Sequence, residues 1–279
     1  MNKLSRTQRI QIISLLVEGM SLRAITRISG VSINTVTKLL VDAGRACSDY
    51  QDTAFRNLSC KRLQFDEIWA FCYAKQKNVA TAKAAPAEAG DIWTWTAIDA
   101  DTKLMPSWHV GNRDADAAND FINDLAGRLA NRIQLTSDGH KPYLEAVEGA
   151  FGADIDYAML IKHYGEPVGA LGRYSPGECT GAEQRRVEGR PDATHVSTSY
   201  VERSNLTMRM GMRRFTRLTN GFSKKAENHL HMVSLHMMYY NFVRIHMTLK
   251  CSPAMAAGVT KTLWEVADIV KVLEAWEAA

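Results

Sequence analysis

The chain has 279 residues, of which 46% are hydrophobic and 23% are charged, and its net charge is +4. These proportions are ordinary for a globular protein, and the length suits one large domain and one small one. No apolar run approaches the roughly 18 residues of a membrane span, so we expect a cytoplasmic protein without a membrane partner. The five cysteines are odd in number and contain no C-x-x-C pair, which argues against a disulfide framework or a zinc site.

Residues 1–45 predict a small all-α domain of the helix-turn-helix type. In "SLRAITRISGVSINTVTKLL" the apolar residues recur at helical spacing, Gly30 supplies a tight turn, and Ser32 can cap the last helix. That helix would present four polar side chains to the major groove of DNA: Ser32, Asn34, Thr35 and Lys38. A three-helix bundle that only packs against another surface is the alternative interpretation.

A larger α/β domain follows the head. Polar, aperiodic residues 46–62 are typical of a linker, and residues 63–250 alternate between strand-like and helix-like patterns. Within this domain, residues at about 163–199 contain many glycines and little periodicity, and we expect an irregular insertion there. Residues 251–279 are predicted to form a C-terminal helical tail.

Two acids of this domain stand at strand positions. The segment "QFDEIWAF" resembles a buried strand, and a carboxylate such as that of Asp66 is costly there without a partner. Asp138 follows a short apolar strand and precedes glycine, where it is either an ordinary turn residue or a ligand at the sheet edge. Glu67 should point away from Asp66, because side chains alternate along a strand, and we expect a structural role for it.

A third acid, Glu202, begins a helical pattern with a strongly basic continuation. Asn205 and Arg209 follow Glu202 at i+3 and i+7, on one helix face. From Glu202 to Lys225 there are seven arginines and lysines against one acid, which predicts binding of a polyanion. Three carboxylates on separate elements suit two hard divalent cations, so we expect two ions of Mg²⁺ or Mn²⁺.

Three segments together resemble the DDE transposases of the insertion sequence 1 type. They are "DEIW" at Asp66, "TSDG" at Asp138 and "VERSNLTMRMGMRRFTRLTNGFSKK" from Val201. A fourth segment, "YYNFVRIHMTLKCSPAMAAG" from Tyr239, is similar to the tail common in transposases and integrases of this superfamily. The resemblance implies a ribonuclease-H-like fold, in which flanking helices cover a mixed five-stranded sheet. It also implies that Asp66, Asp138 and Glu202 are catalytic metal ligands, and that Arg209 is a basic catalytic residue.

The same resemblance implies a partner and a reaction. The partner is double-stranded DNA at the ends of the element and at the target, and the reactions are strand cleavage and strand transfer. Such enzymes work as homo-oligomers on paired ends in the prokaryotic nucleoid. Besides the head, we expect four residues to bind DNA: Asn205, Arg213, Arg214 and Arg217.

Two other functions fit parts of the sequence. One is a transposase-derived, sequence-specific DNA-binding regulator that uses the head without catalysis. The other is a glycoside hydrolase with two carboxylates. The basic segment after Glu202 suits a polyphosphate better than a sugar, which favours the transposase.

Overall fold

A computed structural model describes residues 4–165, 177–216 and 219–279 of the chain. The helices are α1 (Arg6–Val17), α2 (Leu22–Ser29), α3 (Ile33–Ala54), α4 (Ala115–Ala126), α5 (Pro142–Phe151), α6 (Ser199–Gly211), α7 (Ala226–Met238), α8 (Pro253–Ala256) and α9 (Val266–Ala278). The strands are β1 (Arg62–Cys72), β2 (Gly90–Asp99), β3 (Trp108–Gly111), β4 (Gln134–Ser137), β5 (Asp156–Tyr164) and β6 (Cys179–Glu188). The chain is therefore a mixed α/β protein, with its strands grouped in the middle and helices at both ends.

The described strands form one six-stranded mixed sheet in the order β3-β2-β1-β4-β5-β6. β2 runs antiparallel to β1, whereas β4 is parallel to β1 and β5 is parallel to β4. The sheet thus has one strand more than the five expected. The extra strand, β6, lies in the region predicted to be irregular, and its side chains are almost all exposed. Because neither of its faces is buried, it carries no alternation of apolar and polar residues.

The two faces of β1 contact different helices. Phe65 packs against Phe121 of α4 and Tyr143 of α5, with ring centroids 5.2 and 5.7 Å away. On the other face, Gln64 Oε1 accepts hydrogen bonds from the backbone N–H groups of Tyr200 (2.8 Å) and Val201 (3.1 Å). The residue before α6 forms no side-chain cap, so a β1 side chain satisfies the first N–H groups of this helix.

The turn chemistry predicted for the head is confirmed. Gly30 ends α2 with a left-handed φ of 69°, and Ser32 Oγ accepts a hydrogen bond from Thr35 N at the start of α3. However, α3 continues to Ala54, through much of the segment expected to be a linker. Its second half is buried against α7 by small or polar residues, which leave a weak apolar pattern in the sequence.

Polar contacts hold α3 against α7. The buried Gln51 donates from Nε2 to the carbonyl of Ser234 at 3.3 Å, and Ser234 Oγ donates to the carbonyl of Gly44 at 2.7 Å.

The C-terminal segment is helical, and α9 packs against α1 and α3 with an Arg9–Glu277 ion pair of 3.0 Å. Helix α3 therefore packs against both α7 and α9, and α1 packs against α9. Every helix in the described ranges is too short or too polar to cross a membrane.

The close crossing of α3 and α7 generates a stability prediction. A Cβ atom added at Gly44 would lie 2.4 Å from His231 Cβ, whereas one added at Gly149 of α5 would meet no atom within 4 Å. We expect Gly44→Ala to lower the free energy of unfolding by about 1–3 kcal/mol, because overpacking forces the helices apart. Gly149→Ala is the matched control and should raise it by roughly 0.5–1 kcal/mol. Urea denaturation measures both, and equal effects would contradict the close crossing.

Candidate metal centre

Asp66 lies in the central strand and is oriented by α6. Asn205 Nδ2 donates to Asp66 Oδ2 at 2.7 Å, and the backbone N–H of Glu67 donates to Oδ1 at 2.9 Å. Asn205 is only 3% exposed. Its amide holds a carboxylate in place, and the contact with DNA predicted for it from the sequence stays a prediction.

Asp138 directly follows the last residue of β4. Its Oδ1 accepts a hydrogen bond from His140 N at 2.9 Å, and its Oδ2 lies 3.9 Å from Arg113 Nη2. The His140 contact is the local turn that Asp-Gly sequences favour. Asp138 can therefore form the turn and also take part in the site, because Oδ1 accepts the turn hydrogen bond while Oδ2 faces Arg113.

Glu67 joins these two acids, although the sequence predicted only a structural role. It points to the face opposite Asp66, where its side chain is 1% exposed and its Oε2 lies 3.0 Å from Arg113 Nη2. One carboxylate oxygen each from Asp66, Glu67 and Asp138 lies within 4.8 Å of the others. Asp138 can meet both neighbours because it lies beyond the end of β4, where strand alternation no longer confines it.

Glu202 enters the same cleft from the first turn of α6. Its Oε1 accepts hydrogen bonds from Thr198 Oγ1 at 2.6 Å and from Lys162 Nζ, on β5. The cleft has a volume of about 660 Å³. Its charged walls are Asp66, Arg113, Asp138, Lys141, Lys162 and Glu202. The three acids predicted as metal ligands thus line one cleft, in which Glu202 is paired with a lysine.

The sequence interpretation missed Arg113, Lys162 and Tyr143. None of them belongs to the four segments that carry the resemblance, and each comes from an element distant in sequence from the acid it contacts. The only sequence signal for Arg113 and Lys162 was a basic residue near the end of a strand. Many surface residues have the same feature, so it does not identify a site residue. Their pairing with the acids depends on strand order.

Crowded carboxylates shift the acid–base behaviour of the site. Burial, together with the charges of Glu67 and Asp138, raises the pKa of Asp66 to about 7, against the opposing hydrogen bond from Glu67 N. Burial also raises the pKa of Glu67, while the Tyr143 hydroxyl and Arg113 oppose that change. Tyr143 lies beside Glu67, yet Glu67 Oε1 has no hydrogen bond of good geometry in the described structure.

These observations fit a hard cation. The donor set consists of carboxylate oxygens, which Mg²⁺ and Mn²⁺ prefer, and Glu67, one of the three residues, has a buried Oε1 without a hydrogen-bond partner in the described structure. Within the described part of the chain, Arg113 is the one cation that forms ion pairs with Glu67 and Asp138, so the negative charge exceeds the positive charge around these oxygens. A divalent ion would supply the missing charge.

The predicted DNA-binding residues of the head lie at the start of α3. Ser32 uses its hydroxyl as the helix cap, and Asn34 is exposed, while Thr35 is partly exposed. The Lys38 side chain is 71% exposed and forms an ion pair of 2.5 Å with Asp42, one turn later. Asn34 and Lys38 are therefore the most accessible of the four.

The arginines after Glu202 lie in two places. Arg209 is partly exposed in the last turn of α6. Arg213 and Arg214 follow α6 and line a second groove rather than the acidic cleft. Arg217 lies outside the described residues.

Comparisons with known proteins give no family assignment. No protein-family description matches the chain, and no curated protein matches it. A search of solved structures found the cryo-EM structure of a piggyBac transposase synaptic complex with hairpin DNA, at 9% identity and a TM-score of 0.46, covering 99% of this chain and 72% of that one. It also found the crystal structure of a pre-cleavage Mos1 transpososome, at 12% identity and a TM-score of 0.21, covering 56% of this chain and 60% of that one. Since identities and scores are low, the chemistry rests on this chain's own residues.

The raised pKa of Asp66 generates a prediction about the metal-free chain. Its pKa of about 7 in the folded state exceeds the ordinary 3.8. Between these values the folded state holds a proton that the unfolded state lacks, so stability falls as the pH rises through this window. We expect Asp66→Asn to be more stable than the wild type by at least about 1 kcal/mol at about pH 8, and by much less at about pH 5.

Urea denaturation in EDTA at the two pH values measures this difference. Asp120→Asn, which changes an exposed carboxylate outside the cleft, is the matched control. A gain for Asp66→Asn that is the same at both pH values would contradict the crowding of carboxylates.

Proposed function

We propose that this protein is a DNA transposase of the DDE type, which cleaves and joins DNA strands in a ribonuclease-H-like domain. The observation that carries the proposal is the convergence of the Asp66, Glu67 and Asp138 oxygens within 4.8 Å, in a cleft that Glu202 also lines. Carboxylates gathered in this way, beside lysine and arginine, suit a phosphodiester substrate with divalent cations.

The sheet order supports the ribonuclease-H-like assignment. β1 is central, with the antiparallel strands β2 and β3 on one side and the parallel strands β4 and β5 on the other. β1 and β4 are paired through Gln64 and Thr136, so Asp66 lies level with the residues just past β4, including Asp138. In open α/β sheets, ligands bind beyond the carboxyl ends of parallel strands where the strand order reverses.

Asp66, Asp138 and Glu202 would hold two ions of Mg²⁺ or Mn²⁺, with Glu67 as a further oxygen donor. Such ions supply activation of the attacking oxygen and stabilisation of the leaving oxygen in an in-line phosphoryl transfer. The chain's own contribution is orientation. Asn205 holds Asp66, and Thr198 and Lys162 hold Glu202, so that each carboxylate is placed before the substrate binds.

The cations of the cleft would bind the substrate. Arg113 is 37% exposed and faces the cleft, and Lys141 and Lys162 also line it. Guanidinium groups bind phosphate oxygens through two parallel N–H donors, and ammonium groups bind them as point charges. These side chains would position the scissile phosphate, while Arg209 at the end of α6 would contact the flanking backbone.

We assign recognition of the element ends to the head, as a helix-turn-helix domain, with α3 in the major groove. The exposed Asn34 and Lys38 are placed to reach base edges there. Homo-oligomeric assembly on paired ends in the prokaryotic nucleoid belongs to the same proposal. If the chain is instead a regulator without catalysis, the head would bind DNA in the same way but the acidic cleft would not cut it.

The central test removes one carboxylate at a time. Asp66→Asn, Asp138→Asn and Glu202→Gln should each lower Mg²⁺-dependent nicking of a DNA duplex at least about a hundredfold, because the amides cannot hold the metal. Binding of the same duplex in EDTA should remain near the wild-type level, since affinity resides in phosphate and base contacts elsewhere.

Glu183→Gln, on the exposed strand β6, is the matched control and should nick normally. Near wild-type nicking by any of the three variants would contradict the metal assignment. A wild-type chain that binds the element ends and never nicks them would favour the regulator.

The head generates a second test of this function. Asn34→Ala and Lys38→Ala should weaken binding to the element-end duplex by about 1–3 kcal/mol for each lost base contact, and should change binding to a random duplex much less. Lys77→Ala, at an exposed position outside both grooves, is the control for loss of charge. Titrations with the element-end duplex and the random duplex measure these affinities. Equal losses of affinity for the two duplexes would exclude base recognition by α3.

A further inference from the structure

A second groove, of about 650 Å³, lies between the head and the segment that follows α6. Its head side comes from the end of α1, the start of α2 and the first residue of α3, Ile33. Its other side comes from residues 213–214 and 220–232. Among the described lining residues none is Asp or Glu, and four are cationic: Arg23, Arg213, Arg214 and Lys224. As far as the chain is described, the groove shares no lining residue with the acidic cleft.

Arg214 is the fixed cation of this groove. Its Nη1 donates to Ser223 Oγ at 2.7 Å, and Ser223 is 1% exposed. Ser223 Oγ also lies 3.1 Å from His229 Nδ1, so the hydroxyl can donate its proton to the histidine while accepting from Arg214. Throughout the described residues, Arg214 has no carboxylate partner, and the nearby Cys72 thiol is neutral at neutral pH because burial raises its pKa to about 11.

The side chains found next to Arg214 do not neutralise the positive charge of its guanidinium. Burial lowers the pKa of Arg214 to about 10, so the guanidinium is still charged at neutral pH. Burial also lowers the pKa of His229 to about 3, which keeps that neighbour neutral. A desolvated charge without a counter-ion destabilises the folded chain, and an anion from outside would remove that cost.

Two further features favour an extended anion. Lys224 Nζ lies 4.1 Å from the centroid of the Phe222 ring, which holds this cation at the groove wall. Ser21, the cap of α2, lines the opposite wall, where the first N–H groups of a helix add positive potential. Cations on both walls match successive phosphates of a polymer better than one small anion.

We propose that this groove binds the backbone phosphates of duplex DNA, with Arg214 as the fixed contact and Arg23, Arg213 and Lys224 around it. The proposal rests on the proposed function for the identity of its ligand. Ile33 lines the groove and Asn34 is the next residue, so a duplex read by α3 would place its own backbone there. The groove would bind DNA without metal and separately from the catalytic cleft.

Binding of a random-sequence duplex in EDTA, measured at several salt concentrations, tests this proposal. Arg214→Gln should weaken binding about tenfold and reduce the salt slope by about one, because one phosphate contact is lost. Arg214→Lys should restore the slope and part of the affinity. Arg190→Gln removes the same charge from an exposed position outside the groove and should bind like the wild type.

Stability measurements separate binding from a structural role. Arg214→Gln should unfold in urea no more easily than the wild type, since it removes an unpaired charge, and should lose most of the rise in Tm that the duplex produces. If Arg214→Gln does not fold, Arg213→Gln and Lys224→Gln change exposed residues of the same groove and should weaken binding in its place.

Wild-type affinity and salt slope for these groove variants would overturn the proposal. Preferential binding of duplex RNA of equal length would overturn the assignment to DNA. A chain that never nicks DNA but shows Arg214-dependent binding would refute the transposase and leave the groove standing. The two failures are therefore distinguishable.

Discussion

The attachment of α6 to β1 is the constraint on which the candidate site depends. Gln64 and Asp66 are two residues apart and share one face of the strand, and both contact the same helix. Gln64 satisfies the first N–H groups of α6, while Asp66 accepts from Asn205 one turn further along. Any sliding of α6 along the sheet would break both contacts together, so Glu202 has one defined position in the cleft.

The same helix α6 runs from the cleft to the second groove. Glu202 is in its first turn, at the acidic cleft, and Arg213 and Arg214 follow its last residue, at the cationic groove. Thirteen helical residues span about 20 Å. Among the described residues, the cleft gathers the carboxylates of Asp66, Glu67 and Asp138 around one guanidinium, and in the groove the partly buried guanidinium of Arg214 has no carboxylate partner. The cleft is thus suited to a divalent cation and the groove to backbone phosphates. The helix α6 sets the distance between them.

Several parts of this structure could be predicted from local sequence. Gly30 and Ser32 end one helix and start the next because a left-handed turn and a cap depend on those residues alone. The strand at "QFDEIWAF" was predicted and lies within β1, since this segment is rich in aromatic and apolar residues. In contrast, β6 has no buried face, and α3 continues through polar residues that become buried only against α7.

By itself, the sequence determined the strands and turns that carry Asp66 and Asp138, the helix that carries Glu202, and the basic segment after it. These properties are local, because they depend on side-chain periodicity, capping and charge along the chain. Only the tertiary structure decided that Glu67 lies beside the two aspartates, that Asn205 holds Asp66, and that Arg214 lines a different groove. Apart from the neighbours Asp66 and Glu67, these contacts join residues far apart in sequence, and strand order and helix packing, rather than any local pattern, bring them together.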